Sequence, residues 1–560
     1  MWLSTFNAFL FNKLKTPRVF LLVLIIFVAA LLRFYALPSF PPGLYSDEAV
    51  NGVNALEALH NTNFSAEGGP AFGWKVFYPE NFGREGLFIN IQALSVWLFG
   101  PEAWALRLVS GIFGTLTVLG LYFLTKELLR RNEVVSAEET DLYCIPFTKI
   151  LLKKNEAAAL LAAFFLAVTF WHINFSRIGF RAIMAPFWST WGLYYILLAY
   201  RQLFENRALN LKSRQLYYAL LGGLVFGAGI HSYIAYRVMP ALLLLLFIKL
   251  AWDARRVALL KNFLAATAVI AVAGILSALP LLLHFVSVPA DFTGRTGAIS
   301  VFNSGQPFYD LGLNIIKTLG MFNVAGDWNQ RHNISGNPQL FWPVGIFFLI
   351  GLYVGARAVF GRLIEIMRRL PRTASSEAIF GAFEYFVLFA WLALAALPVV
   401  ISNEGLPHAL RAILMIPPVF ILSAAGAVYL YKKTIGVICA RATDQTDSLC
   451  RRLNVAVLVF LILLVFEAYT SYFILWGNNP KTAAAFNKET TDFAYEIRAL
   501  PKELKKYVIY NPNDYGVYVV WFLTNSYLPD DQKKRNIFYF HPGEVDENQM
   551  QNGIFVTQMR

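Results

Sequence analysis

The stretch FVAALLRFYALPSFPPGLYSDEAV, residues 27–50, leaves an apolar run, passes Pro38, Pro41 and Pro42, and ends on adjacent carboxylates, Asp47 and Glu48. The run before it, 19–37, is close to the roughly 20 apolar residues that cross a bilayer. It runs too long for a secretory signal and lacks a small-residue cleavage site, so it is read as an anchor. The rest of the 560 residues agrees: 57% are hydrophobic, 15% charged, and mean hydropathy is +0.50. Soluble domains have about 45–50% apolar and about 25% charged residues. The chain therefore reads as a mainly α, polytopic transmembrane helical bundle. Asp and Glu number only 35, which makes a carboxylate pair at the exit of a span conspicuous.

Apolar runs at 19–37, 105–125, 156–172, 186–200, 216–233, 238–252, 262–285, 340–358, 380–400, 411–431 and 454–476 give about eleven spans. The net charge of +13 does not point to nucleic acid, because the basic residues lie between apolar runs and not on one polar arm. Loops 1–18, 126–155, 201–215, 253–261, 359–379 and 432–453 hold more than half of all Lys and Arg. By the positive-inside rule those loops and the amino terminus are cytoplasmic. The first loop (38–104), 173–185, 286–339, 401–410 and the tail then face outward, as expected of a multi-pass plasma (bacterial inner) membrane protein.

Within the first loop, GREGLFINIQALSVWLFG (83–100) is opened by Arg84 and Glu85 and interrupted by Asn90 and Gln92. It reads as a surface helix and not as a span. Residues 1–476 form the expected membrane domain. From 477 the chain turns polar: a helical TTDFAYEIRAL is followed by KKYVIY, GVYVVWFLT and NIFYF, read as β-rich runs of a small outward α/β domain, 477–560. Cys144, Cys439 and Cys450 are too few for a disulfide framework, show no zinc spacing, and fall in loops read as cytoplasmic.

Chemistry-bearing residues gather on the outward side. They are Asp47, Glu48, Arg84 and Glu85; His172, Arg177 and Arg181; His231 and Arg237; Arg295, Asp327, Arg331 and His332; and Glu404, His408 and Arg411. Each has a plain reading. Arginines snorkel at span ends, Asp47 can cap the helix that follows it, and GDWNQRHN can be a turn. Together, five loops bringing cations to one membrane face suit a phosphate on a lipid tail, since Arg makes charge-assisted bidentate bonds to phosphate. Transfer of a sugar from such a phosphate needs no general acid, because the leaving group is already anionic. It needs a carboxylate base for the acceptor hydroxyl, worth about 10²–10⁴-fold, and a cationic cradle.

PSFPPGLYSDEAV, GREGLFINIQALSVWLFG and ALRLVSGIFGTLTVLGLYFLTKELL, in this order, resemble the C-type membrane glycosyltransferases. More narrowly, they are similar to the protein O-mannosyltransferase and aminoarabinose transferase superfamily. FSRIGFRAIMAP, HSYIAYRVMP, GDWNQRHNISGNP and LPHALRAI look like its bacterial, family 39-like branch. The resemblance implies Asp47 as base, Glu48 as the second member of an Asp-Glu pair, and Arg84 in place of the basic residue of a Lys-Pro-Pro segment that contacts lipid phosphate. Here that segment reads Arg-Glu-Gly, and the second-loop RAIMAP carries no acid. Arg84, Glu85, Arg177, Arg181, Arg237, Arg331, His332, His408 and Arg411 are the expected ligands of phosphate or sugar. The co-substrate is a polyprenyl-phosphate sugar, and the acceptor a protein, lipid or polysaccharide. No metal ligands are assigned and metal dependence stays open: acidic residues are available for a divalent metal, but their spacing defines no coordination set. Two alternatives stay open: an O-antigen ligase or polymerase acting through the late loops, and a lipid-linked-sugar flippase or transporter, which favours ionisable residues deep in spans.

Overall fold

Each expected span falls on a helix of the computed structural model, which describes residues 17–59, 73–80, 83–130, 154–206, 214–368, 382–440, 447–510, 515–541, 544 and 553–557. Cys144 lies outside them. The order begins α1 (Pro17–Phe34), α2 (Ser46–Leu59), β1 (Phe77–Tyr78), β2 (Arg84–Glu85), α3 (Leu87–Phe99), α4 (Ala103–Leu128), α5 (Lys154–Val168), α6 (Phe170–Phe175), α7 (Met184–Asn206), α8 (Arg214–Ala228) and α9 (Met239–Arg256). It continues with α10 (Leu260–Ser287), α11 (Pro289–Ala298), α12 (Pro307–Gly320), α13 (Trp342–Arg368), α14 (Phe383–Val400), α15 (Ile416–Lys433), α16 (Ile435–Ala440) and α17 (Asp447–Tyr469), the last running on as a π-helix over Thr470–Trp476.

Among the described residues nine helices are long and apolar enough to cross a membrane, two fewer than expected. The difference lies in α5 and α8, of which the described residues cover 15 each, or about 22 Å of helix. Thr169 takes an extended backbone (φ −80°, ψ 132°) and breaks α5 from α6, and a 3₁₀ turn over Gly229–His231 continues α8. Both short helices end beside the loops that build the site. Small residues set the closest helix contacts, as in other membrane bundles. A Cβ on Gly223 would lie 2.3 Å from the Ile270 carbonyl, and one on Gly426 2.0 Å from that of Phe347.

The segment expected at the surface is α3, at 13 residues too short to span. It buries Phe88, Ile89, Ala93 and Val96 and exposes Trp97 and Leu98. A two-residue hairpin pairs Phe77 with Glu85 and Tyr78 with Arg84.

After the bundle come α18 (Pro480–Ala485), α19 (Lys488–Ala499), β3 (Lys505–Ile509), α20 (Val517–Thr524), α21 (Pro529–Arg535), β4 (Ile537–Phe540) and β5 (Gly553–Thr557). The strands form a parallel sheet, β4-β3-β5. GVYVVWFLT is helix α20 and not a strand. An unbroken apolar run has no periodicity to decide its type, and two parallel strands need a crossover between them. Val519, Val520, Phe522 and Leu523 pack with Val53, Leu56, Ile89 and Leu106, so this module shares one core with the first loop.

The cysteine reading is also corrected. Cys439 and Cys450, 11 residues apart, form a disulfide between α16 and α17, their Cα atoms 5.2 Å apart. An odd count of three hid a pair that a helical hairpin brings together.

Candidate active site at the loop-rich end of the bundle

The carboxylate pair divides between two tasks. Gly43, at φ +101°, lets the chain pass so close to Phe486–Lys488 that a Cβ there would sit 2.4 Å from the Phe486 carbonyl. Its own carbonyl, and that of Pro41 at 2.9 Å, accept from Arg107 on α4. Arg107 also pairs with Glu48, Nε to Oε1 at 2.9 Å and Nη2 to Oε2 at 3.1 Å. Glu48 accepts further from the Gly179 amide (2.7 Å) and the Tyr45 amide (3.3 Å). The bond from Tyr45, just before α2, is half of a capping box. Glu48 is thus the cap, fully buried, with both oxygens engaged.

Asp47, one residue earlier, is only partly buried, and among the described residues its carboxylate accepts no hydrogen bond. It lines a small cavity of about 40 Å³ with Asn51, Arg84, Arg181, Tyr233 and Arg295. Burial raises its carboxyl above the usual value, while Arg331, then Arg295, Arg84 and Arg181, pull it back.

These cations are held in different ways. Arg84 donates to the side-chain oxygens of Asn51 and Asn54 and to Glu80, whose carbonyl lies 3.1 Å away and carboxylate 3.3 Å. Burial and then nearby Arg181 lower it to about 10. Arg181 pairs with buried Glu85 at 2.6 Å. Burial alone would raise the Glu85 carboxyl, but the Arg181 guanidinium, a backbone hydrogen bond and Arg237 together hold the group below its ordinary value. Arg237 lies 3.9 Å from Glu85, stacks on Phe285 and Phe292 and donates to the Phe292 carbonyl at 2.6 Å. It thereby pins α11, which has no buried residue and carries Arg295 to the cavity. Arg331 stacks on Tyr45, 4.0 Å from the ring centre, and bonds Asn329.

Behind Arg331 lies a second cluster. Asp327 Oδ2 accepts from His332 Nδ1 at 3.0 Å and the Ala409 amide at 2.8 Å, with His408 Nδ1 3.9 Å away. Burial, then His332, hold the His408 imidazole well below 6.5, so it is neutral at pH 7. Arg411 is neutralised by Glu404 at 2.5 Å and donates to the Glu404 carbonyl at 2.9 Å. Arg177 lies apart: it donates to the carbonyls of Leu32 (3.2 Å), Ala36 (3.3 Å) and Phe40 (3.0 Å), the exit of α1, beneath Tyr472 and Phe473.

Of the expected ligands, Arg84 and Arg181 reach the Asp47 cavity directly, and Arg331 acts on Asp47 electrostatically. Glu85 and Arg237 support them, His332 and His408 form the neighbouring cluster, and Arg177 and Arg411 are tied to local carbonyls and a carboxylate. The sequence reading did not single out Arg295 as a ligand, and it missed Arg107, Asn51 and Asn54. Arg107 had a usable signal, a charge inside the apolar run AWALRLVSG. So had Arg33, which donates to the Ala167 and Leu166 carbonyls at the break after α5 and bonds His172 at 2.7 Å.

No family model matches the sequence, and no curated protein matches it. Among solved structures the chain is similar to the oligosaccharyltransferase of Archaeoglobus fulgidus in its apo form, at 16% identity and TM-score 0.50 over 91% of this chain and 64% of that one. The same archaeal enzyme in complex with an inhibitory peptide and a dolichol-phosphate gives 16% and 0.51 over 93% and 64%. The chain thus spans just under two thirds of the archaeal enzyme's length. ArnT from Cupriavidus metallidurans bound to undecaprenyl phosphate gives 14% and 0.44 over 94% and 87%. The likeness to the archaeal structures is one of fold, and it agrees with the polytopic helical fold that the sequence resemblance implied.

Proposed function

We propose that this protein is an integral membrane glycosyltransferase that moves a sugar from a polyprenyl-phosphate donor to an acceptor hydroxyl at the outer face of the membrane. The observation that carries the reading is Asp47, an unbonded carboxylate held at a cavity that Arg84, Arg181 and Arg295 also line. The acceptor oxygen attacks the anomeric carbon as its proton passes to Asp47. The bond from that carbon to the phosphate oxygen breaks, and the phosphate leaves with the electron pair. One displacement inverts the anomeric centre. The arginines stabilise the charge growing on the phosphate, where preorganised donors act most strongly. Glu48 keeps Asp47 in place through Arg107 and Gly179 and does not itself meet substrate.

The test supplies polyprenyl-phosphate sugars to purified protein in lipid and follows release of free polyprenyl phosphate. Release by wild type and loss with Asp47→Asn supports the reading; equal turnover by that variant overturns it. The Asp327–His332–His408 cluster favours, as a second reading, a ligase acting on pyrophosphate-linked glycans through its late loops. There His408→Ala would stop transfer and Asp47→Asn would not.

A further inference from the structure

Asp327, His332 and His408 come from two loops 76 residues apart, yet one potential ligand atom from each lies within 4.8 Å of the other two. We propose that these three side chains form a binding site for a borderline divalent metal of the zinc class.

Two imidazole nitrogens and one carboxylate oxygen are a donor set that such ions take, with a position left open for another ligand. Tetrahedral bonds of about 2.1 Å place ligand atoms about 3.4 Å apart. Asp327 Oδ2 lies 3.0 Å from His332 Nδ1 and 3.9 Å from His408 Nδ1, which brackets that spacing. The two rings are 5.0 Å apart and tilted by 37°, so small rotations bring both nitrogens to one centre. The carboxylate is already oriented from outside, Oδ1 by the Asn329 amide at 2.8 Å and Oδ2 by the Ala409 amide at 2.8 Å. Such outer support characterises metal sites. All three residues are nearly buried, His408 the most open, its side chain 14% exposed.

The surroundings specify what would fill the open position. Arg295 lines the Asp47 cavity together with Leu410, two residues after His408, and Arg331, next to His332 in the chain, stacks on Tyr45, two residues before Asp47. A dication beside two arginines needs an anion to bridge them. The site therefore calls for metal and phosphate together, each tightening the other by the same factor. The metal site itself does not rest on the proposed transfer reaction.

The test adds Co²⁺ to chelator-treated full-length protein in lipid nanodiscs and reads visible d–d absorption, with and without inorganic phosphate. One equivalent is expected, with Zn²⁺ displacing it and phosphate lowering the Co²⁺ Kd. His332→Ala and His408→Ala should each weaken binding at least about 10-fold, while Asp47→Asn leaves it unchanged. Should an alanine variant fail to fold, His408→Cys provides a gain of signal, an intense near-ultraviolet thiolate-to-cobalt band. Absence of stoichiometric binding by wild type, or His408→Cys that binds without the new band, overturns the site. Because no turnover is measured, an inactive protein that binds Co²⁺ separates failure of the transferase reading from failure of this one.

Discussion

Replacing Glu48 by Gln tests whether the acidic pair shares one task or divides it. The Glu48 carboxylate has no exposed surface and accepts four bonds, two from Arg107 and one each from the Gly179 and Tyr45 amides. A carboxamide offers one oxygen and turns an N–H toward a donor, leaving the buried Arg107 guanidinium with the carbonyls of Pro41 and Gly43 but no counter-charge. Breaking one side of a buried pair costs about 3–5 kcal/mol. With an unfolding entropy near 2.1 cal/mol/K per residue, a chain of this length loses about 3 °C in Tm, and more where helices persist in the unfolded state. Scanning fluorimetry in lipid nanodiscs is the assay, and Arg107→Met in the Glu48→Gln background should recover part of the loss by removing the stranded charge. Glu48→Gln with unaltered Tm and abolished transfer would refute the reasoning and return Glu48 to the reacting atoms.

Asp47→Asn should lower transfer by about 10²–10⁴-fold. Because burial raises the Asp47 carboxyl, the folded protein holds that proton more tightly than the unfolded chain, so this group contributes less stability as pH rises through the raised value. The Asn variant should consequently be at least as stable as wild type at pH 7, by thermal melts. The same shift places the acid limb of the transfer rate above the ordinary carboxylate value of about 3.9, with activity rising as pH rises and the base ionises; a limb at or below that value opposes the assignment. Arg295→Ala, on a helix with no buried residue, should leave Tm unchanged and weaken donor binding about 10-fold or more, the worth of one charge-assisted bond. Arg181→Ala should instead destabilise the protein, since it strands buried Glu85, and the loss should shrink as pH falls and Glu85 protonates.

The bundle was legible because apolar runs and basic loops are local features. Each expected span met a helix, and the nine long apolar helices among the described residues leave out α5 and α8, which are followed by the break at Thr169 and the 3₁₀ turn at Gly229–His231. The exit of α1 gave Asp47 its prominence, but nothing in DE tells which carboxylate faces inward. That is decided by Arg107, 59 residues away. The Asp327–His332–His408 cluster was invisible as a group for the same reason: its members meet only when the loop after α12 folds against the loop after α14. The Cys439–Cys450 pair was hidden by a count that mixed it with a third cysteine.

The core shared by α2, α3 and the C-terminal module has a consequence for biogenesis. The Leu44 amide donates to Thr491, Asn487 to Ser46 and Tyr527 to Glu57, across separations of 447, 441 and 470 residues. A ribosome delivers the first loop long before these partners exist, so α2 rests first on its bonds within the bundle, among them Glu48 to Arg107 and to the Gly179 amide, and gains the C-terminal contacts last. Chains clipped before residue 480 would keep α1 to α17 but lose the bonds at Leu44, Ser46 and Glu57, and with them part of the frame that holds α2.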